Sequence, residues 1–289
     1  MSAIAYLNGS FLPLEDARIP VLDRGFIFGD GIYELLPVYS RRPFRLPEHL
    51  RRLDSNLAAI RLANPYSADR WQELVSEMIA RNEPEDQSIY VQVTRGVAKR
   101  DHAFPKGVAP TVLILSNPLV TPAKEQVQSG VAAITVQDNR WLRCDIKATS
   151  LLANVLLRQQ AVNAQAVEAI LLRDGMLTEG AASNIFVVCD GKLLAPPKNH
   201  LMLPGITYDV VLELSLNHGL NHEVRNVSEK EVREAQEVWM TSSTREVLAI
   251  TTLDGEPVGG GSPGSIFWRM YGWYQEYKAK VMRGLENGV

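Results

Sequence analysis

Cysteine is scarce, with Cys144 and Cys189 the two present. Two thiols do not make a disulfide framework, and no Cys-x-x-Cys pair starts a zinc site. A reducing compartment fits, and a cytoplasmic location is the expectation. No one charge dominates: 30 Lys and Arg face 33 Asp and Glu. The signs are interspersed, so no basic stripe points to nucleic acid. No apolar run approaches the roughly 18 residues of a membrane helix. The opening residues lack a basic region and reach a turn at Asn8-Gly9, so no signal peptide is expected. Internal repeats and low-complexity tracts are also missing. What remains is a globular composition, 46% hydrophobic and 22% charged. The 289 residues exceed a typical single domain, so two domains are expected, each with its own core.

Along the chain, Tyr6 to Phe11 reads as a hairpin closed by Asn8-Gly9. Ile32 to Tyr39 is a candidate strand. Pro47 opens a helix carrying Leu50, Leu53, Leu57 and Ile60, and Trp71 to Ile79 mark a second. Ile89, Val91 and Val93 alternate as on a strand, and Val112 to Leu115 follow as another. From Leu119 to Gly130 the apolar pattern lapses. The expected organisation is an N-terminal domain over 1–120, a linker over 121–130 and a C-terminal domain over 131–289. In the second half Val131 to Val136 is a strand, and Leu151, Leu152, Val155 and Leu156 begin an amphipathic helix. Asp174-Gly175, Asp190-Gly191 and Asp254-Gly255 each sit between apolar runs, so three further hairpins are expected. Repeated hairpins predict mainly antiparallel sheet. Ser228 with Glu231 predicts a capping box, and Ile266 to Tyr277 a final helix.

Three segments offer chemistry. Leu203-Pro204-Gly205-Ile206-Thr207 leads into a helical pattern, and a helix start behind a glycine suits an anion such as phosphate. Taken alone it is equally an ordinary turn and cap. Glu179, among the small residues of Thr178 to Asn184, suits a protonated pyridine nitrogen; alone it reads as a loop carboxylate. Lys147 lies before an apolar helix, and a partly desolvated lysine serves as nucleophile and base. Periodicity by itself does not separate it from other lysines.

Together these segments resemble the class IV (fold type IV) aminotransferases, which depend on pyridoxal 5'-phosphate (PLP). The resemblance rests on Lys147 before Leu151-Leu152, on Thr178-Glu179-Gly180 with Ser183-Asn184, and on Gly205-Ile206-Thr207. It extends to Gly29-Asp30-Gly31-Ile32-Tyr33-Glu34 and His49-Leu50-Arg51-Arg52-Leu53. It implies an α+β fold of two α/β domains with largely antiparallel sheets and the cofactor at the domain interface. By the resemblance, Lys147 is the Schiff-base lysine and proton shuttle, and Glu179 pairs with the ring nitrogen. Arg52, Ile206 and Thr207 hold the phosphate, with Ser243 and Thr244 as further contacts.

Within the family, Arg100-Asp101-His102 resembles the Arg-x-His loop of D-amino-acid aminotransferases. There the Arg and His, with the Tyr matching Tyr33, bind the substrate α-carboxylate, and the loop serves the partner subunit of a homodimer. The implied reaction is ping-pong transamination between a D-amino acid and a 2-oxo acid. A branched-chain L-aminotransferase and an (R)-amine transaminase are disfavoured by Arg100 and His102. An aminodeoxychorismate lyase, or a silent PLP-binding protein, stands as a further alternative. Ala181 and Ala182 occupy positions where many relatives carry serines, which leaves the substrate pocket less defined. No metal, nucleic acid or membrane partner is expected.

Overall fold

The computed structural model describes residues 3–283. The chain divides into two compact units. The first runs to Leu119 and includes Ile146–Leu151, and the second holds Val120–Asp145 and the chain from Leu152. This differs from the expected domain limits at two points. Residues 121–130 are not a plain linker, since helix α4 (Lys124–Ser129) forms there, within the second unit. The segment carrying Lys147, expected in the C-terminal domain, packs with the first unit. The reason is burial: Ile146 and Ala148 join that unit's hydrophobic core.

The first unit contains β1 (Ile4–Leu7), β2 (Ser10–Pro13), α1 (Arg24–Phe28), β3 (Gly31–Tyr39), β4 (Arg42–Pro43), α2 (Leu46–Ala59), α3 (Ala68–Arg81), β5 (Gln87–Thr94) and β6 (Thr111–Pro118). Its sheet runs β2-β1-β6-β5-β3-β4, and every pairing is antiparallel. Asn8 and Gly9 take positive φ of 47° and 102°, as the expected two-residue hairpin needs. Pro47 stands in the first turn of α2, and Ser67 caps α3 by accepting from the Arg70 amide. Leu50, Leu53 and Leu57 of α2 and Trp71, Leu74 and Met78 of α3 meet Ile32, Leu36 and Val38 of β3 in one core. Along β3 the period of two leaves Tyr33 and Leu35 half-buried and sends Glu34 inward.

The second unit contains β7 (Val131–Gln137), α5 (Leu152–Asn163), β8 (Glu168–Arg173), β9 (Met176–Gly180), β10 (Asn184–Cys189), β11 (Lys192–Ala195), α6 (Ile206–Asn217), β12 (His222–Val224), α7 (Glu229–Arg233), β13 (Glu237–Ser242), β14 (Glu246–Leu253), β15 (Glu256–Pro257) and α8 (Ser265–Arg283). The sheet order is β12-β11-β10-β13-β14-β7-β8-β9, with β15 on β14. Antiparallel pairs dominate, while β11–β12, β14–β7 and β7–β8 are parallel. All three Asp-Gly dipeptides close hairpins with positive φ at both residues. The capping box at Ser228 and Glu231 opens α7.

Helix α5 forms where the apolar spacing places it, with part of its apolar residues on the surface. Leu157 and Ala161 are its buried residues, whereas Leu152, Val155 and Leu156 are 71%, 59% and 58% exposed. These apolar side chains are therefore a surface feature of the chain. No helix among the described residues is long and apolar enough to cross a membrane.

Leu53 sits fully buried in the first core. Leu53→Ala is expected to cost about 2–5 kcal/mol, read as a lower denaturant midpoint at unchanged slope.

Candidate active site

In the first unit Lys147 is fixed by its backbone. Its carbonyl accepts from the Tyr33 amide at 2.9 Å, and its own amide donates to Asn56 Oδ1 at 3.2 Å. Ala148 bridges Ile32, and the Thr149 amide donates to the Gly31 carbonyl at 3.0 Å. The half-buried amine Nζ lies 4.3 Å from the centroid of the Tyr33 ring, which in turn stacks on Tyr90. A cation over a ring face is held electrostatically without losing its reach.

Behind Tyr33, Glu34 is buried and takes Arg52 on two oxygens, at 2.7 Å from Nε and 2.8 Å from Nη2. His49 Nδ1 joins the same carboxylate at 2.9 Å. Burial opposes the charge on Glu34, but Arg52 beside it wins and holds the carboxyl well below the usual range. Burial pushes His49 down, so its ring is neutral near neutral pH. Glu34 thereby sets the plane of the Arg52 guanidinium, a relation the sequence motif contained but did not disclose. His49 Nε2 and Asn56 Nδ2 are buried without a hydrogen-bond partner.

Arg100 and His102 stand exposed on the connection between β5 and β6. Both meet one ring: the Arg100 Cζ lies 5.4 Å from the Phe28 centroid, and the His102 ring 5.3 Å from it. The pair is thus brought together within the first unit, with Tyr33 and Lys147 in the same unit.

In the second unit Glu179 ends β9 and is buried. Arg140 Nη1 donates to its Oε1 at 2.6 Å, while the Leu203 amide and Asn184 Nδ2 donate to Oε2 at 3.1 and 3.3 Å. Arg140 is shared, because Asp138 accepts from its Nε at 2.9 Å and its Nη2 at 3.0 Å. Burial therefore outweighs the guanidinium and pushes the Glu179 carboxyl up to about 7. An anion so incompletely compensated gains from a further cationic partner. Nothing in the sequence around Asn139-Arg140-Trp141 signalled this contact, since Arg140 and Glu179 meet only across the fold.

Ile206 and Thr207 are the first residues of α6, behind Gly205, and no side chain caps that start. Asn184 Nδ2 also donates to the Leu203 carbonyl at 2.9 Å, and its Oδ1 packs where a Cβ on Gly205 would stand. Across the sheet Asn184 faces Thr241, whose hydroxyl is buried and unpartnered. That hydroxyl is a buried donor opposite the residue that contacts the turn before α6. Ser243 and Thr244, half-buried, occupy the turn between β13 and β14 rather than a strand. Ala181 and Ala182 donate amides to Glu168, which Ser183 also contacts at 2.7 Å, so this loop is pinned by a buried carboxylate.

Taken unit by unit, the residues have the chemistry that PLP requires: the first unit holds a half-buried primary amine, and the second a buried, incompletely compensated carboxylate and a helix start that no side chain caps.

The amino-transferase class IV family model matches residues 31–253. The chain belongs to this family, whose members depend on PLP. Two relatives are D-alanine aminotransferases. The protein from Bacillus licheniformis is 41% identical over 90% of this chain and 91% of its own length. That from Staphylococcus aureus (strain MW2) is 37% identical over 94% and 96%. Among solved structures, the branched-chain amino acid aminotransferase from Escherichia coli superposes with a TM-score of 0.89 at 25% identity. The match covers 99% of this chain and 97% of that one.

Glu179 has its proton affinity raised in the fold, so below pH 4.5 its contribution to stability is fully present and is lost as pH rises to about 7. In protein stripped of PLP, melting temperature is expected to decline across that window, and Glu179→Gln is expected to flatten the decline. Identical profiles for the two proteins would refute the shift.

Proposed function

We propose that the protein is a PLP-dependent aminotransferase that moves an amino group between a D-amino acid and a 2-oxo acid. The observation carrying the proposal is the pairing of Arg100 with His102 over Phe28, in a chain 41% identical to a D-alanine aminotransferase. A guanidinium and an imidazole on one support make a receptor for a carboxylate, and Tyr33 adds a phenol. A branched-chain aminotransferase, to which the fold is also similar, would need a different carboxylate site, and an (R)-amine transaminase needs no carboxylate partner; an aminodeoxychorismate lyase would turn over without an acceptor 2-oxo acid. A silent PLP-binding protein has no need of Lys147, Glu179, Arg52 and Tyr33 together.

PLP supplies an electron sink for the pair of electrons left at the substrate Cα. Lys147 Nζ is the attachment point for the cofactor and moves the proton at Cα, with the Tyr33 ring steadying the amine. Glu179 keeps a proton on the ring nitrogen, held in place by Arg140. Arg52, oriented by Glu34, holds the phosphate together with the backbone of Ile206 and Thr207 and the hydroxyls of Ser243 and Thr244. Tyr33, Arg100 and His102 hold the substrate carboxylate and so select the enantiomer. The exposed face of α5 supports a homodimer. In that assembly the loop with Arg100 and His102 serves the site of the partner subunit. The enzyme is cytoplasmic in this reading.

Double-reciprocal plots with D-alanine and 2-oxoglutarate are expected to be parallel, as for a ping-pong order. Intersecting lines would count against it. Lys147→Ala is expected to lose more than about a thousandfold in kcat. Arg100→Ala is expected to raise KM for D-alanine about 10–100-fold, the loss of one charge-assisted hydrogen-bonded contact. An unchanged KM would overturn the carboxylate assignment. Leu156→Glu is expected to shift the sedimentation of the protein from dimer towards monomer, and an unaltered dimer would remove α5 from the interface.

A further inference from the structure

Arg100 and His102 lie on an exposed connection, where holding a long side chain still costs it rotamer freedom. The first unit contains a device that offsets this. Asp23, fully buried, accepts from the Thr94 hydroxyl at 2.8 Å and the Thr111 hydroxyl at 2.6 Å. These are the last residue of β5 and the first of β6, so one carboxylate ties both ends of the loop. Arg24 follows on α1, buried. Its Nε donates to Asp30 Oδ2 at 2.7 Å, and its other nitrogens reach the Asp101 and His102 carbonyls, the latter at 3.5 Å. Arg95 shares Asp30 at 2.9 Å and lies with Cζ 3.8 Å from the centroid of Phe104. The left-handed Gly29, with φ 65°, ends α1 and lets Asp30 turn back to face both guanidiniums.

Phe28 is the point on which this cluster and the receptor meet. Arg24 Cζ lies 4.9 Å, Arg100 Cζ 5.4 Å and the His102 ring 5.3 Å from its centroid. Two cations and an imidazole around one ring use its negative face and its breadth, which an aliphatic side chain of similar volume lacks. We propose that Phe28, seated on the Arg24–Asp30–Arg95 cluster, is a specificity-determining positioning residue that presets Arg100 and His102 as a single carboxylate receptor. This rests on the reading of Arg100 and His102 as carboxylate-binding groups. Phe28 itself touches no substrate in it and acts through its two neighbours. With the receptor preset, the substrate carboxylate meets ordered donors and the ordering cost is not charged to binding.

The test compares Phe28→Leu, which keeps an apolar side chain without a ring, and Phe28→Tyr, which keeps the ring. Both are measured as PLP-loaded enzyme beside wild type and Arg100→Ala. Phe28→Leu is expected to raise KM for D-alanine about tenfold with kcat within about twofold, and Phe28→Tyr to stay within about threefold of wild type in both. PLP affinity, read by absorbance titration, is expected to be unchanged in both variants. Amide hydrogen exchange over residues 97–104 is expected to quicken about tenfold in Phe28→Leu alone. A wild-type KM in Phe28→Leu, alongside a raised KM in Arg100→Ala, overturns the role of Phe28 and leaves the carboxylate assignment standing. Equal impairment in Phe28→Leu and Phe28→Tyr overturns the role of the ring. A wild-type KM in Arg100→Ala overturns both readings. Should Phe28→Leu fail to load PLP, Phe28→Met takes its place with the same outcomes.

Discussion

The backbone pairing of residues 147–149 with the start of β3 is the constraint on which the first unit's chemistry depends. Strand β5 occupies one side of β3, and Lys147, Ala148 and Thr149 close the other through Tyr33, Ile32 and Gly31. The Lys147 amine is therefore held through its main chain, and its flexible stem has a defined origin. A lysine on a free loop would spend its rotamer freedom each time it acted. Here that freedom is restricted in advance by the Tyr33 ring beneath Nζ.

The same strand distributes functions by its period of two. Tyr33 faces the amine, while Glu34, one residue on, points into the helix-covered face and organises Arg52 and His49 on α2. Asp30, just before the strand, turns to Arg24 and Arg95 and steadies the loop of Arg100 and His102. One short run, from Phe28 to Glu34, thus touches the amine, the guanidinium proposed for phosphate and the proposed carboxylate receptor. Its buried charges are all paired, which is the condition for keeping them there: an unpaired partner in such a pair costs about 3–5 kcal/mol.

The second unit solves a different electrostatic problem. Glu179 is buried with a cation that Asp138 also claims, so its charge is only partly compensated. Asn184 links that carboxylate to the turn before α6, since its one side-chain amide contacts both Glu179 and Leu203. Carboxylate and helix start are then placed by one residue. The small residues of the 180–183 loop are fixed by Glu168.

Local physics made much of this visible beforehand. Asn-Gly and Asp-Gly tolerate positive φ, and all four hairpins formed where those dipeptides stand. Helical spacing found α2 and α3, and alternation found β5, because both reflect contacts within a few residues. On α5 the spacing found the helix but not its buried side: apolar periodicity cannot distinguish a side buried in the core from one left exposed. Family resemblance supplied Lys147, Glu179, Arg52 and the Arg100–His102 loop, but not what holds them. Arg140 on Glu179, Asn56 on Lys147, Thr241 opposite Asn184 and Arg24 beneath the loop are pairings between residues 39 to 91 positions apart. So is the transfer of residues 146–151 to the first unit. The sequence by itself determined the turns, most of the elements and the chemical groups available. The tertiary structure decided which charges share a partner and which unit carries the amine, because burial and long-range hydrogen bonding exist only once distant segments have met.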